Sequence, residues 1–192
     1  MTRFSFHRLA VAALLLAAFS SPAEAAAQKY TVDAMRSKIV FAATQDDTRF
    51  FGGFNDFKLS IVFSPDDLEH SQIVAIIDTG SAFAGSKERD DALPGKDWFN
   101  VGQFPEATFA TKRITQTGPD QYLAHATLTI RGIARDIDLP FSLAEQNGIT
   151  QAKGSIMLNR ADFGVGQGPW AGDSTVKFDV RVDIEIYAVK KG

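Results

Sequence analysis

The chain contains no cysteine. That single absence excludes disulfides, thiolate nucleophiles, iron–sulfur ligation and zinc–cysteine sites. Histidine is nearly missing as well: His7, His70 and His125 are the whole complement, and no H-x-x-x-H spacing is present to ligate a metal. Positive charge is not in excess either, since 20 basic residues face 23 acidic ones. No basic patch stands ready to neutralise phosphates, so no nucleic-acid partner is expected. After the first residues, long helical periodicity and apolar runs of membrane length are also lacking.

What is present begins with a three-part leader. "MTRFSFHR" is basic through Arg3 and Arg8, "LAVAALLLAAF" is apolar but too short to span a bilayer, and "SPAEAAAQ" is rich in small residues. Residues 1–25 therefore read as a signal peptide, with cleavage after Ala25 or after Ala27, and the protein is expected in the periplasm. Removing Arg3, Arg8 and Glu24 from the 20 basic and 23 acidic residues leaves 18 and 22, a net charge of −4. The remainder, residues 28–192, has the size of one domain with a sizeable core. Without disulfides, that core must hold it alone.

Period-two alternation runs through this remainder. In "TVKFDVRVDIEIYAV" the residues Val176, Phe178, Val180, Val182, Ile184 and Ile186 share one parity, and the charged residues share the other. A strand puts these sets on opposite faces, one apolar and one wet. "IARDIDLPFSL" repeats the device, with Arg135 breaking the apolar parity and Pro140 indicating an edge or a bulge. "FNDFKLSIVF", "SKIVFAAT", "SQIVAIIDTGSAF", "EATFATKRIT", "QYLAHATLTI" and "GITQAKGSIML" bring the set to about eight strands. "TGPD", "RG" and "EQNG" supply turns. From Gly85 to Pro105 the pattern fails: "SKERDDAL" predicts a short helix capped by Ser86, and "KDWF" the start of a second. Such a long connection is often functional. About eight alternating strands imply a sandwich or a closed up-and-down barrel. At that size a barrel interior is either filled by side chains or holds one small ligand. With 16 Phe against 3 Tyr, a hollow interior would suit a hydrocarbon.

The chemical motifs reduce to bland readings. In "NRADFGVGQGPWAGD" the glycines precede a proline, a tryptophan and a strand rather than a helix, so they do not form a phosphate-cradling fingerprint. They read as a turn that lets the backbone bend tightly. The pairs Asp46-Asp47, Asp66-Asp67 and Asp90-Asp91 read as solvated carboxylates, and no nucleophile has a placed base. No motif calls for a cofactor. Trp98 and Trp170 lie in connections and either plug one end of a barrel or frame its entrance.

Several stretches together resemble the YceI-like family of bacterial exported proteins. These are "YTVDAMRSKIVF", "GGFNDFKLSIVFSPDDLEHSQIVAIID", "RDDALPGKDWFNVGQFPEATF", "ATLTIRGIARDIDLPFSL" and "LNRADFGVGQ" with "GDSTVKFDVRVDIEI", covering almost all of residues 29–187. Two departures stand out: Arg36-Ser37 replaces the usual His-Ser, and Ala126-Thr127 replaces Gly-Asp. The resemblance implies an all-β, single antiparallel lipocalin-like barrel with one or two short helices in the 85–105 connection. It also implies a long isoprenoid or other amphiphilic lipid held in the barrel, transient membrane contact and no catalysis. Parity then selects Phe41, Phe57, Ile61, Phe109, Leu128, Ile137, Leu139, Phe178 and Ile184 as lining residues, with Lys87, Arg89 and Trp98 near a head group. The competing reading, an enzyme acting on a lipid or quinone, would need an inward acid or base, for which Arg135 and His125 are the candidates. A third reading is a soluble partner of a membrane electron-transfer system, since some relatives are linked to b-type cytochromes.

Overall fold

The computed structural model describes residues 27–191. The signal-peptide expectation concerns residues outside that range. Eleven strands form one sheet: β1 (Gln28–Val32), β2 (Lys38–Gln45), β3 (Thr48–Phe54), β4 (Phe57–Phe63), β5 (Gln72–Asp78), β6 (Ala82–Phe83), β7 (Glu106–Gly118), β8 (Gln121–Ile130), β9 (Ile133–Gln146), β10 (Ile149–Asn159) and β11 (Asp179–Lys190). Six of them are halves of three interrupted passes. β1 and β2 both pair antiparallel with β11, β3 and β4 pair with β2 and β1, and β5 and β6 pair with β4 and β3. The chain thus makes eight antiparallel passes in an up-and-down meander. Pairing of β11 with β1 and β2 closes it into a barrel rather than a sandwich.

The tight turns carry their own chemistry. Asp46-Asp47, Arg131-Gly132 and Asn147-Gly148 each join two strands with both residues at positive φ, the backbone twist that two-residue hairpins require. The acidic pair Asp46-Asp47 is therefore a turn. Arg131 is held in its left-handed conformation by its own side chain, which donates to the carbonyls of Lys96 (2.8 Å) and Trp98.

Where the ladder is interrupted, hydroxyls repair it. Ser37, between β1 and β2, accepts from the Tyr187 amide (3.0 Å) and donates to the Asp33 carbonyl (2.7 Å). The neighbouring Arg36 stacks on the Tyr187 ring, 4.3 Å from its centre. Ser81, between β5 and β6, accepts from the Asp56 amide at 3.0 Å. Thr111, at the irregularity in β7, accepts from the Ile73 amide at 2.9 Å. A further interruption lies at Pro140. On the β8 side β9 stays in register through Leu123↔Pro140. On the β10 side pairing runs only from Ile149↔Gln146 to Gly154↔Phe141. Proline has no amide hydrogen to donate, and the ladder stops one residue short of it.

The connection between β6 and β7 contains one helix, α1 (Lys87–Ala92), whose cap Ser86 accepts from the Arg89 amide. "KDWF" does not begin a second helix but lies in turns, with the Trp98 amide bonded to Gly95 O and that of Phe99 to Leu93 O. Pro94-Gly95 ends the helix too close to it for another to nucleate. The glycine-rich stretch forms two 3-10 turns, Arg160–Phe163 and Gly168–Trp170.

Ser37→Ala is expected to lower stability by roughly 1–3 kcal/mol, because it orphans the Tyr187 amide at the closing seam. Urea unfolding monitored by tryptophan emission and by far-UV circular dichroism reads that loss as a lower midpoint with an unchanged slope.

Candidate binding cavity

The apolar parity of the strands points into the barrel, and it does not fill it. A deep cavity of about 170 Å³ is lined by Ile61, Phe109, Leu128, Ile137, Leu139 and Ile184 among others, and extends to Tyr30 and Phe63 at the far end. Phe109, Ile61, Ile137 and Ile184 are only half-buried although they face inward; their accessible surface is turned to the cavity. Polar groups are few here. Thr150 lines this space, and its hydroxyl is buried without a hydrogen-bond partner among the described residues.

A second cavity of about 200 Å³ lies at the other end, beneath α1 and the two 3-10 turns. Phe41, Phe50, Phe54, Trp98, Phe99 and Trp170 form its aromatic wall, with Gln45, Glu88, Arg89 and Arg160 as its polar members. Leu158 and Val182 border both cavities, so the two spaces adjoin along the barrel axis. Trp98 and Trp170 pack together with ring centres 5.6 Å apart and planes tilted by 47°. They close this end and border its cavity at once, so plug and frame describe the same pair. The Asp97 carbonyl accepts from the amides of Gly166 (2.8 Å) and Gln167 (2.7 Å), fastening the two loops together.

Arg160 organises this end. It is 5 % exposed, and its guanidinium donates to six carbonyl oxygens: those of Val165, Gly166, Trp170, Gly172, Val176 and Lys177, at 2.7 to 3.4 Å. Its ring neighbours are Phe178 (5.3 Å) and Trp98 (5.8 Å). Burial pushes its pKa down, and the charge of Asp173 works against that. With all five donors committed, Arg160 has none to offer a ligand. Gly166 leaves it room: at φ +83° it adopts a backbone that side chains avoid, and a Cβ there would collide with the guanidinium.

The remaining sequence candidates fall in different places. Phe41 and Trp98 lie at the upper cavity, and Ile61, Phe109, Leu128, Ile137, Leu139 and Ile184 at the deep one. Phe57 and Phe178 line neither. Phe57 opens β4 and packs on the cluster of Ile39, Ala75, Ile77 and Ala107; Phe178 precedes β11 and is taken up by Arg160. Arg89 borders the upper cavity, its Nε bonded to Ala84 O (2.8 Å) and its guanidinium over the Phe50 ring at 4.6 Å. Lys87 pairs instead with Asp91. Arg135 keeps the inward parity yet is exposed and lines neither space, its Nη1 bonded to Ala134 O. His125 bonds Asp138 at 2.6 Å and belongs to the polar parity. Neither gives the cavities an acid or base. Sequence reasoning missed Arg160 as the centre of its loop, because its partners are carbonyls and not a carboxylate.

On the outer surface, a shallow hollow of about 670 Å³ spreads from the β7–β8 turn across β9, β10 and β11 to β2. Lys38, Lys153, Arg181, Asp183 and Glu185 line it. Glu185 accepts from Lys38 (2.7 Å) and Tyr187 (2.9 Å), and these bonds hold its carboxyl down at about 2.

An eight-pass antiparallel barrel with an apolar, partly empty interior defines a β-barrel of the hydrophobic-cavity class. The chain belongs to the YceI-like domain family, which matches residues 30–188. Its fold resembles the crystal structure of Burkholderia cenocepacia BcnA, at 29 % identity and a TM-score of 0.80 over 83 % of this chain and 100 % of that one. It also resembles the fold of a polyisoprenoid binding domain from Saccharophagus degradans, at 16 % identity and a TM-score of 0.63 over 85 % and 99 %. A UPF0312 protein of Yersinia pestis (strain Pestoides F) is 33 % identical over 96 residues, 50 % of this chain and 50 % of that protein. The match thus spans about half the length of the curated relatives.

Replacing Arg160 by Met leaves several buried carbonyls without donors and is expected to cost at least about 3 kcal/mol. Arg160→Lys is not expected to rescue it, because an ammonium lacks the planar fork; thermal unfolding of both variants checks this. Glu185 sets a pH window. Its folded pKa is depressed, so its contribution is complete above the ordinary value of 4.5 and is lost as pH falls through about 2. Acid titration should show the wild type losing its stability advantage over Glu185→Gln between those two values.

Proposed function

We propose that this protein is a periplasmic carrier or store for a long amphiphilic isoprenoid, such as a quinone or prenyl phosphate, or for a similar lipid. The observation that carries the reading is the pair of adjoining apolar cavities that meet at Leu158 and Val182. Two adjoining spaces suit a chain more than a compact molecule, and their lining is mostly apolar. Burial of hydrocarbon supplies roughly 0.8 kcal/mol per methylene, so affinity needs few polar contacts. Binding of a polyisoprenoid by the structurally similar Saccharophagus domain agrees with this. The leader sequence supports export, and transient contact with a membrane follows from the need to collect such a ligand. Catalysis is not part of the proposal, because Arg135 and His125, the residues it would have needed, line neither cavity.

The test is native purification of the exported chain followed by mass spectrometry of any co-purified lipid. Ala152 lines the deep cavity, so Ala152→Phe should fill it. We expect that variant to fold, at a cost of about 1–3 kcal/mol, and to bind a prenyl alcohol about tenfold or more weakly, a difference of roughly 1.4 kcal/mol. Unchanged affinity in a folded variant would place the ligand elsewhere.

A further inference from the structure

We propose that the seam between β9 and β10 is a lateral portal, through which the hydrocarbon chain of a bound lipid passes between the deep cavity and the outer hollow. It rests on the cavity reading above and adds the route. The wall is unzipped there. β9 from 133 to 140 keeps its partner β8, and β10 from 155 to 159 keeps β11, but these two stretches are not paired with each other. Three other interruptions of the ladder are bridged by the hydroxyls of Ser37, Ser81 and Thr111, and the one at Gln116 and Gly118 lies beside the β7–β8 turn. Among the described residues, no side-chain hydrogen bond crosses the β9–β10 interruption.

The spaces on the two sides of the seam come together at one place. Phe141, Gly154 and Ile184 border both the deep cavity and the outer hollow. Gly154 contributes no side chain to separate them, and a Cβ there would sit 3.2 Å from Pro140 O. The inner lips are apolar, with Ile137 and Leu139 on β9 and Ile156 and Leu158 on β10. On the outer lip Met157 is 57 % exposed. Unpaired amides and carbonyls along the lips need water, so the slit is a hydrated passage that a chain crosses and not its resting place. The end capped by Trp98 and Trp170 is the contrasting case. Its loops are fastened by the Asp97 carbonyl, by Arg131 and by Arg160.

Absence of native cysteine makes the test clean. Continuing the register of Gly154↔Phe141 would set Met157 opposite Asp138. Cysteines at these positions (Asp138→Cys with Met157→Cys) are joined by a short bifunctional thiol reagent. The control joins Thr127→Cys to Asp136→Cys, partners across the intact β8–β9 ladder. The probe is parinaric acid, a fluorescent polyene fatty acid, followed during loading and release. We expect the seam-clamped protein to exchange it about tenfold or more slowly than the clamped control, with affinity little changed, since a route governs rates and not the equilibrium. Pro140→Val, which restores an amide hydrogen, should slow exchange in the same direction without any reagent. Equal exchange rates in clamped seam and control, with uptake intact, overturn the portal alone. No uptake by the unclamped protein overturns the cavity reading and the portal with it.

Discussion

One guanidinium holds the upper end of the barrel together. The loop from Val165 to Lys177 has no sheet of its own, yet its carbonyls converge on Arg160 from six residues. A buried charge without a carboxylate is costly unless its donors are satisfied, and here the backbone satisfies all of them. The position of Trp170 follows, because its own carbonyl is one of the six, and with it the packing on Trp98 and the wall of the upper cavity. Gly166 is required for the same reason, as the only residue type that gives way to the guanidinium.

The barrel shows how a chain without disulfides tolerates a void. Its interior is not packed to the density of an ordinary core, so dispersion contacts across the cavities are lost. The closed ladder compensates by leaving few backbone groups unpaired, and small hydroxyls complete it where passes break. Ser37 and Thr111 are both buried. Each does what a neighbouring strand would otherwise do.

Much of this was legible in the alternation of apolar and polar residues. Parity reports which side of the wall a residue faces, and it placed Ile61, Leu128, Leu139 and Ile184 on the inside correctly. It does not report height along the axis, which is why Phe57 and Phe178 fell beyond the cavities. β3 escaped because "TRFFGGF" does not alternate. Gly52 and Gly53 leave space there for the rings of Phe41 and Phe83, a reason visible only once the strands are paired. Pro140 announced an irregularity in the ladder, but not on which side it fell. Nothing local marks Arg160, since its acceptors are main-chain atoms brought to it by the turns that it stabilises.

The connectivity has a consequence for the order of assembly. Every pairing of passes but one joins neighbours in sequence, and such hairpins form from local contacts. The exception joins Tyr30 to Lys190 and Phe41 to Val182, the most distant closure this chain can make. Non-local contacts of that kind are slow to form. The first pass must wait for the last strand, and until it arrives the greasy inner wall is an open, curling sheet. A nascent chain of this design is therefore most vulnerable to sticking just before completion, and a molecule that lies along that wall would protect it in that interval.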